Sequence, residues 1–177
     1  MNNLNIKLLS DNATTPTRAY GVSAGLDIYA AETVVIEPQE KILLATDIAV
    51  DIPEGYVGLL TSRSGVSSKT HLVVETGKID AGYNGHVKVN IKNDEETLAT
   101  DEYIYKDIKG ESNDNKNATN ILEILKESNK NTSYVIKKGD KIAQLVITPI
   151  ITPEVNVVDN FTNKSARGTN GFGSSGF

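Results

Sequence analysis

The sequence contains no cysteine and no tryptophan. Without thiols there is neither a disulfide framework nor a thiolate that could bind a metal or act as a nucleophile. The two histidines, His71 and His86, are too few for a histidine-rich metal site. Aromatic residues make up 6% of the chain, so the core has to be built from Val, Ile and Leu. With 177 residues, the chain is long enough for one domain with such a core.

Long apolar runs and an excess of positive charge are missing as well. The formal net charge is −5, which argues against bulk electrostatic binding to nucleic acid. No apolar run approaches the roughly 20 residues needed to span a bilayer. The first residues lack the basic start and the apolar stretch of a signal peptide. We therefore expect no membrane contact and no direct nucleic acid binding, and the composition suits the reducing cytoplasm.

Short apolar segments separated by Gly and Pro turns fill the first 60 residues and return near the C-terminus. This spacing predicts an all-β domain of the sandwich or jelly-roll type. The segment 142–151 is almost continuously apolar, so it is expected to be buried on both faces. The predicted strands are 4–9, 24–30, 33–36, 41–50, 56–60, 87–92, 134–136, 142–151 and 156–158.

The segment Thr76–Lys92 is the centre of the functional prediction. Its second half alternates apolar and polar residues, as a half-buried strand does. Its first half places Asp80 between glycines, and Asn84-Gly85 is a typical hairpin-turn dipeptide. The pattern predicts that Asp80 and Tyr83 lie on a tight, backbone-exposed hairpin. Taken alone, a surface hairpin with a solvated aspartate explains the segment equally well.

Two further polar stretches carry residue types that bind phosphate. Thr61–Lys69 combines small hydroxyls and a glycine with one arginine and one lysine, and such loops cradle phosphate oxygens. Residues 165–177 hold four glycines, one arginine and two phenylalanines, which is too little apolar surface to fold alone. We expect this arm to order over a phosphorylated ligand. A solvated loop and a disordered tail are the alternatives.

Residues 94–131 interrupt the β pattern with a run rich in Asn, Lys, Glu and Asp. Two apolar islands stand out, one at Tyr103–Tyr105 and one within Asn117–Lys130, where four aliphatic residues follow helical spacing. We therefore predict an inserted segment with one short amphipathic helix. A helix this short is marginal unless it packs on the β-domain or on a partner.

Five segments carry the residues of interest in order: AGLDIYA (24–30), RSGVSSK (63–69), GKIDAGY (77–83), GDKIAQL (139–145) and RGTNGFGSSG (167–176). They resemble the five motifs of the trimeric dUTP pyrophosphatases (dUTPases), and together they span nearly the whole chain. The resemblance implies a jelly-roll-like β-fold (β-clip) and a homotrimer whose three active sites lie at subunit interfaces. It also implies hydrolysis of dUTP to dUMP and pyrophosphate with Mg²⁺. We expect one β-domain over 1–164, including the insertion, and an arm over 165–177 that closes a neighbouring site.

The resemblance also assigns roles to individual residues. Asp80 matches the general base that activates the attacking water, a role that suits a carboxylate because it is ionised at neutral pH. Tyr83 matches the residue under the deoxyribose, where its ring leaves no room for a 2′-hydroxyl. Asp27 matches the acid that contacts the metal through water, since Mg²⁺ rests mainly on the triphosphate. The other residues expected to bind substrate are Arg63, Ser64, Gly65, Gly77, Ile79, Lys88, Gln144, Arg167, Phe172, Gly173 and Ser174.

The insertion is the main departure from the family, because most members join Asn93 to Gly139 by a short turn. It resembles the insertion of phage dUTPases from Gram-positive hosts, some of which bind and inactivate the repressor of phage-inducible pathogenicity islands. Asn84 stands where many members have arginine, and Lys69 precedes Thr70-His71 rather than His-Gly. Two alternatives stay open: a dCTP deaminase of the same fold, and a nucleotide-dependent regulator that acts by binding a protein.

Overall fold

Eleven strands and one short helix form in the residues that the computed structural model describes, which are 3–112, 129–162, 165–166 and 168–169. The helix α1 spans Ser64–Ser67. No helix in the described ranges is long and apolar enough to cross a membrane. The strands are β1 (Asn5–Leu8), β2 (Gly25–Tyr29), β3 (Val34–Ile36), β4 (Lys41–Asp51), β5 (Tyr56–Ser62), β6 (Leu72–Val74), β7 (Gly77–Ile79), β8 (Val87–Asn93), β9 (Tyr103–Lys106), β10 (Asn131–Ile136) and β11 (Lys141–Pro149).

The strands make three sheets that enclose one core. Their strand orders are β1-β4-β8-β6, β2-β11-β5-β7 and β3-β10-β9. All pairs of these strands are antiparallel except β9 with β10, which run parallel. Most neighbours in a sheet are distant in sequence, as in jelly-roll connections. The predicted all-β, jelly-roll-like fold is confirmed.

The core is aliphatic, as the shortage of aromatic residues predicted. Strand β8 shows the expected alternation, with Val87, Val89 and Ile91 buried and the side chains between them more exposed. Tyr134 is the only aromatic among the largest fully buried side chains in the described part of the chain. Its ring contributes to a core otherwise made of Ile, Leu, Val and Ala from all three sheets. Burial of these aliphatic side chains is the main force that holds the sheets together.

Strand β11 is buried over its first half only. Ile142 and Leu145 are 1% and 0% exposed, but Ile151 is 90% exposed. The register explains the difference: β11 lies between β2 and β5 as far as Val146, the rest of β11 pairs with β5 alone, and Ile151 lies beyond the end of the strand. The expectation that 142–151 is buried on both faces is therefore wrong for its second half.

Two other local predictions are wrong because strand pairing depends on distant residues. Strand β7 pairs with β5, and β8 pairs with β4 and β6, so Asn84-Gly85 does not close a hairpin between β7 and β8. The chain instead crosses from one sheet to another there. Residues 156–158 form no strand, and Val157 is 92% exposed. Within the described ranges, no strand of the same chain lies beside them to pair with.

The insertion contributes a strand to the third sheet. Strand β9 pairs in parallel with β10, which begins at Asn131, three residues before the predicted strand. The buried Asn131 side chain donates to the carbonyl of Thr100 at 2.7 Å and accepts from the amide of Leu98 at 2.8 Å. These bonds tie the start of the insertion to the β-domain. The predicted helix at 117–130 lies almost entirely outside the described residues.

Candidate active site

A buried carboxylate and two cations meet where β2, β5 and β11 lie side by side. Asp27 in β2 is 6% exposed. Nε of Arg63 donates to Oδ1 of Asp27 at 2.8 Å, and Nζ of Lys141 lies 2.8 Å from Oδ2. Nη1 of Arg63 also donates to the carbonyl of Lys141 at 3.0 Å. The aspartate that the sequence placed near the metal thus holds the predicted phosphate-binding arginine in one orientation.

Opposing effects act on the pKa of Asp27. Burial raises this pKa, because a charged carboxylate is costly to remove from water. The hydrogen bond from Lys141 and the charges of Arg63 and Lys141 together outweigh burial, so the pKa lies below its ordinary value of 3.8. The same hydrogen bond raises the pKa of Lys141. At neutral pH the cluster therefore has more positive than negative charge, which favours an anionic ligand beside it.

The other predicted phosphate contacts lie around the same end of β5. Gln144 sits opposite both Asp27 and Thr61 in the sheet, and its Nε2 donates to the carbonyl of Ser62 at 3.0 Å. This bond supplies the partner that a half-buried amide needs. Ser64 and Gly65 follow Arg63 in α1 and are exposed. The structure thus groups Arg63, Ser64, Gly65 and Gln144.

Asp80 lies on a tight turn that begins where β7 ends. The amide of Tyr83 donates to the carbonyl of Asp80 at 3.2 Å, and Gly82 has φ +83°, which a glycine adopts without steric cost. The preceding Ile79 is buried, whereas Asp80 is exposed. Its carboxylate makes no hydrogen bond or ion pair to any residue that the structure describes. Asp80 is therefore free to orient a water molecule.

A cavity of about 480 Å³ opens beside this turn. Four of the predicted substrate contacts line it, namely Gly77, Ile79, Tyr83 and Lys88. Tyr83 is 48% exposed, so much of its ring is available to a ligand. The remaining lining comes from Leu43, Leu60, Lys78, His86 and Val87. An apolar wall with a few polar groups is typical of a pocket for a small molecule.

The two groups of predicted site residues do not meet within one chain. Gly58 of β5 is paired with Ile79 of β7, so Asp80 leaves the pair near the start of β5. Arg63 follows the other end of β5. Asp80 falls opposite Val57 in this register, so six residues of strand at about 3.3 Å each separate the two positions by roughly 20 Å. One chain therefore does not bring its proposed base to its own phosphate-binding arginine.

Lys141 and His86 were not among the site residues predicted from the sequence. Lys141 contacts Asp27 and lies 5.7 Å from the ring centroid of Tyr29, a cation–π distance. A buried aspartate in an apolar strand requires a cation nearby. The lysine of GDKIAQL, Lys141, was therefore a candidate partner for Asp27 that the sequence already offered. Four predicted contacts in the C-terminal arm lie outside the described residues: Arg167, Phe172, Gly173 and Ser174.

Comparison with known proteins gives one consistent match. The profile of the dUTPase family matches residues 11–103 and 115–176, and the gap between these ranges falls in the insertion. A protein of Schizosaccharomyces pombe named probable deoxyuridine 5′-triphosphate nucleotidohydrolase is 34% identical, and the match covers 97% of this chain and 96% of that protein.

Solved structures of phage proteins are more similar. The dUTPase of Staphylococcus bacteriophage 80alpha, solved with dUPNHPP, is 53% identical, covers 100% of both chains and has a TM-score of 0.87. It is described as one of the phage dUTPases that control transfer of virulence genes by a proto-oncogenic G protein-like mechanism. A mutant dUTPase from phage phi11 of S. aureus, described as coordinating a structural Mg(II) ion, is 53% identical with a TM-score of 0.79, over 92% of this chain and 100% of that chain.

Proposed function

We propose that three copies of this chain, which belongs to the dUTPase family, assemble and build each active site at their contacts. The enzyme hydrolyses dUTP to dUMP and pyrophosphate, which keeps uracil out of DNA and supplies the precursor of dTMP. One observation carries the proposal for shared sites. Asp80 and Arg63 leave opposite ends of the β5–β7 pair, so a second copy has to supply the missing half. Sedimentation should therefore find a homotrimer.

In this assembly the pocket beside Tyr83 holds the nucleoside. The phenol ring packs under the deoxyribose and excludes a 2′-hydroxyl, while the backbone of Gly77–Tyr83 reads the uracil edge. Asp80 accepts a proton from the attacking water as general base, which requires only that the water be oriented. Its exposed carboxylate, which makes no hydrogen bond or ion pair within the described residues, is suited to that task. Lys88 contributes a positive charge at the rim of the same cavity.

A neighbouring copy supplies the phosphate-binding group. Arg63 enters the site already oriented by Asp27, with Ser64, Gly65 and Gln144 beside it. Charge-assisted hydrogen bonds from a fixed guanidinium stabilise the charge that develops on the phosphates. The arm at 165–177, with Arg167, Phe172, Gly173 and Ser174, would close over the nucleotide and remains a prediction. We place the enzyme in the cytoplasm, where its nucleotide substrate is consumed by DNA synthesis.

Mg²⁺ is the cofactor of the reaction, and the donor set fits a metal carried by the substrate. No group of three or more His, Asp or Glu side chains in the described ranges could hold a metal ion. Mg²⁺ keeps several waters and is usually bound through substrate phosphates and one or two carboxylates. Both oxygens of Asp27 face cations, so its contact with the metal would pass through water. When bound, the ion neutralises charge on the triphosphate.

Assays of two products test the activity. Incubation with dUTP should release pyrophosphate, and incubation with dCTP should release no ammonia. Ammonia from dCTP would instead indicate the deaminase alternative. Turnover at the wild-type rate after Asp80→Asn would remove Asp80 as the base without questioning the family.

We further propose that the insertion binds a protein, because a specific surface favours this role. Tyr103 and Tyr105 stack with ring centroids 6.5 Å apart and are 37% and 40% exposed. They lie on β9, the outer strand of its sheet. Exposed tyrosines on the outer strand of a sheet can anchor a partner. The relationship to the 80alpha dUTPase supports a regulatory partner, and the acidic chain suits a basic one such as a DNA-binding repressor.

Shortening the insertion tests the binding role. A variant that joins Asn93 to Thr132 through a short Gly-containing turn should retain dUTP hydrolysis and bind a repressor more weakly. The double variant Tyr103→Ser, Tyr105→Ser keeps the rest of the insertion and serves as the matched test of the stacked pair. Unchanged repressor affinity in both variants would refute the proposal. Loss of hydrolysis by a trimeric shortened variant would assign the insertion to the active site instead.

A further inference from the structure

Strand β4 contains an irregularity beside the nucleoside cavity. Ala45 is paired with Lys88 and Ile48 with Val87, so two residues of β4 bulge out opposite β8. One of them, Asp47, has φ +52°, in the left-handed region that few non-glycine residues occupy. The other, Thr46, donates its hydroxyl to the carbonyl of Val87. The bulge is thus fixed against the start of β8.

His86 connects this bulge to the nucleoside cavity. The amide of Asp47 donates to Nε2 of His86 at 2.8 Å, and Oδ1 of Asp47 lies 3.3 Å from the same nitrogen. Asp47 is itself held by its neighbours, since its carbonyl accepts from the amide of Leu9 at 2.8 Å and its Oδ2 accepts from Ser10 at 2.5 Å. The residue that contacts the imidazole, Asp47, is therefore itself held in place through both its backbone and its side chain.

The other side of His86 contacts Tyr83. The phenol of Tyr83 donates to the carbonyl of His86 at 3.1 Å. The ring folds so closely over Gly85 that a Cβ there would lie 2.5 Å from the hydroxyl oxygen. The position of the Tyr83 ring therefore depends on the backbone of residues 85 and 86, and the His86 side chain fixes that backbone to β4.

We propose that His86 is a positioning residue: its imidazole, accepting a hydrogen bond from the bulge of β4, holds Tyr83 in place and so sets the selectivity for deoxyribose over ribose. This inference rests on the proposed role of Tyr83. The Asp47 amide lies 2.8 Å from Nε2, closer than the 3.3 Å of Asp47 Oδ1, so Nε2 is assigned as the acceptor and the proton to Nδ1. A displaced Tyr83 ring would pack less well on deoxyribose and leave more room for a 2′-hydroxyl.

Kinetics with dUTP and UTP test the role. Loss of one hydrogen bond predicts that His86→Leu lowers kcat/KM for dUTP by about 3- to 10-fold, mainly through KM. The ratio of kcat/KM for dUTP to that for UTP should fall as well. His86→Gln, whose side-chain oxygen can accept the Asp47 amide, should restore most of both values. His71→Leu is the matched control, because the other histidine lines a different cavity, and its selectivity should equal that of the wild type.

The outcomes separate this inference from the function on which it rests. If Tyr83→Ala lowers the selectivity and His86→Leu does not, His86 is not a positioning residue while the role of Tyr83 stands. If Tyr83→Ala leaves the selectivity unchanged, the assigned role of Tyr83 fails first. Nitrogen-15 NMR of the wild-type imidazoles is a test that needs no variant. A His86 proton on Nε2 would overturn the inference, and the Nδ1–H tautomer is the expected result.

Discussion

Replacing Asp27 by asparagine tests how the phosphate-binding arginine is held. The amide is nearly isosteric but carries no charge, so Arg63 and Lys141 would face each other without a counter-charge. Hydrogen bonds to charged groups contribute about 1.5–3 kcal/mol and neutral ones about 1 kcal/mol. The side chains of Arg63 and Lys141 are 26% and 40% exposed, so water weakens both contacts. We expect Asp27→Asn to lower the free energy of unfolding by about 2 kcal/mol at pH 7.

The lowered pKa of Asp27 determines how the stability difference between wild type and Asp27→Asn changes with pH. A carboxyl whose pKa is lowered by folding stabilises the protein at pH values above its unfolded pKa, and that stability is lost as the pH falls through the folded pKa. The pKa of Asp27 lies below 3.8, so the difference between wild type and variant should be constant from neutral pH downward and shrink below about pH 4.

Urea unfolding at one fixed protein concentration measures the difference, because the stability of an oligomer depends on concentration. Asp51→Asn is the matched control: this aspartate is exposed and bonded only to Asn5 at 3.3 Å among the described residues, so the expected change is within about 0.5 kcal/mol. A loss for Asp27→Asn no larger than that of the control would refute the reasoning. A difference that grows on acidification would do so as well.

Three other changes have defined outcomes. Asp80→Asn should keep dUTP binding and lower kcat by about 10²–10⁴-fold, and a near-normal kcat would remove Asp80 as the general base. Deletion of 165–177 should leave a folded trimer with little activity, which sedimentation and pyrophosphate release would measure; full activity would contradict the role of the arm. Tyr134→Phe should cost about 1–2 kcal/mol, because it leaves the part-buried His71 amide and Glu95 carboxylate without their phenol partner. Burial raises the pKa of Tyr134 from 10.0 to about 12, so the free energy of unfolding should fall more steeply for the wild type than for the variant between those pH values in urea unfolding.

The sequence predicted features that depend on neighbouring residues. The alternation in β8 was sufficient because the side-chain period of a strand is local, and Val87, Val89 and Ile91 are buried as expected. The hairpin predicted at Asn84-Gly85 is wrong because a hairpin also requires its flanking strands to pair, and β7 pairs with β5 instead. Likewise, the burial of β11 depends on where its neighbour β2 ends.

The candidate site shows the same limit. The resemblance identified the turn at Asp80 and the cluster near Arg63, yet Lys141 was found only when β2 and β11 were seen to be paired. His86 required knowledge of a bulge in β4, some 40 residues away in sequence. No sequence pattern shows that Asp80 and Arg63 of one chain are far apart, because that separation is a property of the β5–β7 register.

Mixing two inactive variants tests most directly whether active sites are shared between copies. Asp80→Asn and Arg63→Ala would be purified separately, unfolded together in equal amounts and refolded. If each site takes Asp80 from one chain and Arg63 from the next, every mixed trimer has one intact site, and random assembly restores about one quarter of wild-type dUTP hydrolysis. If both residues of a site came from the same chain, the mixture would stay as inactive as the separate variants, and the account of the active site would be contradicted.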